Sequence, residues 1–111
     1  MIVNSKRITE WIRPSSRVLD LGCGEGRLLA ELISTRQVEG LGLELEPEKI
    51  AVCLDQGLSV IQQDLNRGLH NFRDQQFDFV IMTQTLQAIR RPDLLLDEML
   101  RVGQEAIVTF P

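Results

Sequence analysis

Apolar positions along this chain follow two rhythms, short unbroken runs and longer stretches at helical spacing. Residues 5–13 place Ile8, Trp11 and Ile12 on one helical face, and Pro14 stops that helix. Arg17–Leu21 is a short apolar run and predicts a first strand. A helix is predicted over 26–35, burying Leu28, Leu29, Leu32 and Ile33, and a second strand over 38–44. Pro47 suits the first turn of the next helix, whose predicted apolar face is Ile50, Ala51 and Leu54 and whose stop is Gly57. Residues 58–62 read as strand three, and 63–76 as a polar connection with apolar points at Leu65, Leu69 and Phe72. The unbroken FVIM within 77–82 predicts a fourth strand buried on both faces. Pro92–Val102 reads as a helix with Leu95, Leu96, Met99 and Leu100 inward, and 105–110 as strand five.

Five strands separated by helices imply right-handed βαβ units. The expected fold is therefore α/β, with a mostly parallel sheet and helices on both faces. The 111 residues allow one domain with one core. A chain stopping at Pro111 would leave strand five without a covering element, so a C-terminally truncated piece of a longer protein is expected.

Composition narrows the partners. No apolar run approaches the roughly 20 residues that span a bilayer. The start, MIVNSKRITEW, lacks the basic-then-apolar order of a signal peptide, so a cytoplasmic location is expected. The net charge is −4, and basic residues cluster no further than Lys6-Arg7 and Arg90-Arg91. A nucleic-acid partner is not expected without a basic face. Cys23 and Cys53 form no metal motif and read as reduced thiols, so no metal is expected.

The chemistry gathers at strand ends. RVLDLGCGEG is a glycine-rich turn between a strand and a helix, where a ligand approaches the backbone closely. Its glycines are Gly22, Gly24 and Gly26, with Arg27 where a dinucleotide loop has its third glycine, so a nicotinamide or flavin reading fits poorly. Asp20 before the loop and Glu25 inside it would repel a pyrophosphate and offset the field of the helix N-terminus. S-adenosylmethionine carries no phosphate; Asp20 would attract its ammonium and sulfonium, directly or through water. Glu44 ends strand two, where a carboxylate can accept from both ribose hydroxyls. Asp64, in VIQQDL, can accept from the adenine amine, and Leu45 and Leu65 are candidate walls for the ring. Taken one at a time, a glycine loop is often only a tight turn and an acidic strand end often only a helix cap.

VLDLGCGEG, GLGLELEP, QQDL and FDFVIMTQTLQAI resemble, in that order, the motifs of class I S-adenosylmethionine-dependent methyltransferases. VIQQDLNRGL, the segment FDFVIMTQTLQAIRRPDLLLDEMLRVGQEAIVTFP and the short connection 102–105 are similar to the MetW family of methionine biosynthesis proteins. The resemblance implies a Rossmann-like fold of seven strands, two of them beyond Pro111. It implies a role beside a homoserine O-acyltransferase. It also implies cofactor contacts at Asp20, Gly22, Gly24, Glu44 and Asp64, with the loop that begins at Thr83 and spans 83–86 facing the methyl group.

No residue stands out as a catalytic base. There is no tyrosine, and His70 reads as a solvated loop residue. Gln84 and Gln87 could bond an acceptor or simply face water. The Asn/Asp-Pro-Pro-aromatic motif of amino-group methylators is absent after strand four. Two functions follow from this: an S-adenosylmethionine-binding methyltransferase acting on a small molecule, or a non-catalytic partner that activates or regulates homoserine O-acyltransferase.

Overall fold

The strand Phe77–Thr83 is where the two layers of the core meet. Its Phe79 and Ile81 pack on one side with Ile8, Ile12, Val18 and Leu32. Its Val80 and Met82 pack on the other with Leu95, Met99, Val102 and Leu69. Period-two alternation with both sides apolar is the signature of a central parallel strand.

The computed structural model describes residues 2–4, 7–83 and 88–110. Its elements are β1 (Ile2–Asn4), α1 (Ile8–Trp11), β2 (Arg17–Leu21), α2 (Arg27–Arg36), β3 (Glu39–Glu44) and α3 (Pro47–Asp55). They continue as β4 (Val60–Gln62), a 3-10 turn (Leu65–Arg67), β5 (Phe77–Thr83), α4 (Pro92–Val102) and β6 (Gly103–Phe110). The described strands pair in parallel in the order β1-β6-β5-β2-β3-β4. The chain leaves β2 toward β3 and β4, then returns to β5 on its other side. That reversal opens a crevice at the C-terminal ends of β2 and β5, the place where open α/β sheets bind ligands.

The five expected strands and the helix Pro92–Val102 are present, with ends shifted by a few residues at most. One strand was not expected. β1 lies along the outer edge of β6, Ile2 opposite Val108 and Asn4 opposite Phe110, so the fifth predicted strand is not bare on that side. Three residues carry no readable periodicity; they form a strand because β6 offers them an unpaired edge.

Three helical faces turn out differently from the spacing. Trp11 is 43% exposed, because α1 is a single turn seated through Ile8 and Ile12. On α3 the buried residue is Cys53, while Leu54 is 57% exposed and Ala51 also faces out. Docking on the glycine loop through Cys53 sets that face. On α4 the inward set is Leu95, Met99 and Val102, with Leu96 half-buried and Leu100 exposed. Burying those three side chains contributes about 1.5–3 kcal/mol each.

The abrupt RVGQEA is a helix running into a strand with no intervening turn. Gly103 makes it possible, since a Cβ there would lie 2.7 Å from Val80 Cγ2. The connection 63–76 is less polar than it reads. Leu65, Leu69 and Phe72 are buried, and Phe72 meets Phe77 edge-to-face at 5.6 Å. Arg101 ties the segment down, donating to the carbonyls of Leu69 and Phe72 at 3.0 Å and pairing with Asp74. No helix among the described residues is long and apolar enough to cross a membrane.

Candidate functional site

The glycine loop leaves β2 at the crevice. Gly22, Gly24 and Gly26 all have left-handed φ, of 70°, 60° and 83°. Gly26 is fixed by space as well: a Cβ would fall 2.3 Å from Leu58 Cδ1 and 3.0 Å from Cys53 Sγ. Nothing lies within 4 Å of a Cβ on Gly24, so there the backbone angle alone demands glycine. Cys23 N–H donates to the Leu43 carbonyl at 2.9 Å, which fastens the loop to β3. Cys53 Sγ lies 3.2 Å from the Gly24 carbonyl and Gln56 Nε2 donates to the Glu25 carbonyl at 2.7 Å, which fastens it to α3. The sulfurs of Cys23 and Cys53 are 3.9 Å apart and unbridged. Burial pushes both thiols upward, so they pack as neutral groups.

Two carboxyls stand behind this loop. Glu44, at the end of β3, is buried and bridges: Oε1 accepts from Gly24 N–H at 2.8 Å and Oε2 from Glu46 N–H at 3.1 Å. Asp20 is 1% exposed, and its Oδ1 has no hydrogen-bond partner among the described residues. Burial first, and then the charge of Glu44, push Asp20 up to about 7. A buried acid with one oxygen lacking a donor, beside a second carboxylate, is a place that favours positive charge.

A cleft of about 270 Å³ opens beside the pair, lined by Gly22, Glu44, Leu45, Asp64 and Leu65, with Ile89 across from them. Five of the residues singled out from the sequence therefore share one hollow. Asp20 sits beneath it rather than in it, and Gly24 contributes its N–H to Glu44 instead of a wall. Thr83 ends β5, half-buried opposite Thr109, and is not part of the lining. Residues 84–87, with Gln84 and Gln87, lie outside the described residues. Asp64 also caps the 3-10 turn, its Oδ1 accepting from Asn66 N–H at 2.9 Å. Leu45 is 54% exposed, whereas Leu65 is mostly core with one edge in the cleft. Asn66, Ala88 and Ile89 also line the cleft, and sequence reasoning did not pick them out. Asn66 could have been found as the partner of the cap at Asp64. Ile89 could not, since it follows β5 in the chain and meets the residues after β3 and β4 only in the fold. A wider hollow of about 600 Å³ lies at the opposite edge, between Arg17 and Arg73, away from both carboxyls.

Residues 3–111 match the family model described as methionine biosynthesis protein MetW. The chain belongs to the MetW family. A curated relative, the bifunctional methionine biosynthesis protein MetXA/MetW of Rhodopirellula baltica, is 44% identical over 117 residues, covering 98% of this MetW chain and 19% of the relative. The chain thus spans about a fifth of that protein's length. Among solved structures, a complex of the Haloferax volcanii Trm112 methyltransferase activator contains a chain that superposes with a TM-score of 0.79 at 24% identity. The match covers 90% of this chain and 46% of that one. A SAM-dependent methyltransferase from Archaeoglobus fulgidus gives 0.77 at 25% identity, over 88% and 44%. The fold is the Rossmann-like fold of the class I methyltransferases.

Proposed function

We propose that this MetW chain binds S-adenosylmethionine in the cleft at the end of β2 and β3. The observation that carries the reading is the buried carboxyl pair Asp20–Glu44 behind a glycine loop whose own residues, 22–26, include an acid but no basic side chain, with Lys49 nearby already paired to Glu46. A pyrophosphate would meet two carboxyls there; a sulfonium with an α-ammonium would meet the charge it needs. Glu44 would turn its acceptors toward the ribose, Asp64 would meet the adenine amine, and Leu45 and Leu65 would enclose the ring. When bound, the cofactor supplies an electrophilic methyl group, whose transfer to a small molecule depends chiefly on alignment.

Two observations favour the alternative, a partner of homoserine O-acyltransferase. MetXA and MetW occur in one polypeptide in the Rhodopirellula relative. Two of the candidate bases are out of place for the role: Asp20 is sealed, and His70 is exposed in the 63–76 segment and does not line the cleft. Calorimetric titration with S-adenosylmethionine and with its demethylated product tests the cofactor reading, and no heat of binding from folded protein refutes it. A change in acyltransferase rate on mixing supports the partner role. Methylation of a small molecule without acyltransferase supports the enzyme.

A further inference from the structure

The fold assembles a basic groove that no segment of sequence contains. Arg90 and Arg91 precede α4, and the 3-10 turn brings Arg67 to the same hollow of about 440 Å³, with Leu94, Leu95 and Ile89 between them. Arg91 pairs with Asp93 at 2.9 Å, and Glu98, deeper in, pairs with Arg101. Arg67 and Arg90 form no ion pair among the described residues. On a chain of net charge −4 this is a local reversal of sign. Leu94 is 52% exposed in the middle of it. Arginine around an exposed apolar side chain is the composition of a protein interface core. The groove is also held in place. Asn66 Oδ1 accepts from Arg90 N–H at 2.9 Å, and Asn66 N–H donates to Asp64 Oδ1 at 2.9 Å, so one wall of the cleft anchors one wall of the groove.

From this geometry we infer that the Arg67–Arg90–Arg91 groove docks an acidic segment of a partner protein, one carrying an apolar side chain to cover Leu94. Charge complementarity calls for carboxylates, and the joining of MetXA to MetW in the relative makes a protein the occupant. The inference rests on the partner reading above. Three arginines on an acidic chain are too few to follow a nucleic-acid backbone.

The test measures binding of this chain to the homoserine O-acyltransferase of the same organism by biolayer interferometry at two salt concentrations. Arg67→Glu/Arg90→Glu should weaken binding by about tenfold or more and remove most of its salt dependence. Arg36→Glu/Arg73→Glu, at the opposite edge of the sheet, should change it by less than about twofold. Leu94→Ser, at an exposed position where folding is not at stake, should also weaken binding. Unchanged melting temperature and cofactor titration show that the variants are folded. If the wild-type chain binds and the groove variants bind equally well, the groove assignment is overturned and the partner reading stands. If the wild-type chain does not bind, both fall.

Discussion

Asp20→Asn tests the electrostatics of the site most directly. Buried, without a donor on Oδ1 and close to Glu44, Asp20 titrates at about 7 where an ordinary aspartate titrates at 3.8. The folded state therefore holds a proton that the unfolded chain releases between those pH values. Below 3.8 both states are protonated and Asp20 is neutral to stability. As the pH climbs from 3.8 to about 7, stability falls, and the loss is complete above that range. At about 1.36 kcal/mol per pH unit the ionised carboxylate costs about 4 kcal/mol in the unliganded protein. The neutral amide of the variant would carry no such cost. Urea denaturation should thus show similar stabilities for wild type and variant at about pH 4, with the variant ahead by a margin that widens to about pH 8. Cofactor titration should show the reverse. A cationic ligand stabilises the ionised form, so wild-type affinity rises with pH until about 7 and binding releases a proton below it. The variant should bind more weakly, with no such slope. Parallel stability curves for the two proteins would refute the reasoning, whatever the titration showed.

Further expectations concern the scaffold. Glu44→Ala removes the acceptors of the Gly24 and Glu46 N–H groups, which should cost about 2–3 kcal/mol by urea denaturation; cofactor affinity unchanged in that variant would sink the ribose assignment. Gly26→Ala should destabilise by about 3 kcal/mol, from left-handed backbone plus overlap with Leu58 and Cys53, whereas Gly24→Ala should cost only the about 1–2 kcal/mol of the backbone term. The ranking of the two alanines in one denaturation series decides whether space or dihedral governs the loop. Arg101→Ala frees the carbonyls of Leu69 and Phe72, so amide exchange should accelerate across residues 69–74 first, with a loss of about 2 kcal/mol overall.

Apart from β1 and the 3-10 turn, the order of elements was legible because each left a local mark. The run RVLDL gives a buried strand, Pro47 and Pro92 mark helix starts, and Gly57 adopts the left-handed angle expected of a helix stop. Strand ends in a parallel sheet lie along one edge, so Glu44 and Asp64 could be expected near the glycine loop from their order alone, and they share its cleft. What a one-dimensional reading lacks is the neighbour. The face α3 buries depends on the loop it meets, so Cys53 turns inward and Leu54 outward. β1 exists through the edge of β6, and the position of Asp20 before the loop does not reveal that the fold buries it. Charge patterning fails in the same way, since Arg67 joins Arg90 and Arg91 only after the segment between them has folded back. Local propensity and hydrophobic period thus determined the fold class and the positions of the candidate anchors. Burial and cross-chain pairing, which exist only once distant segments meet, decided how each carboxyl is charged, what it holds and which surfaces remain to meet another molecule.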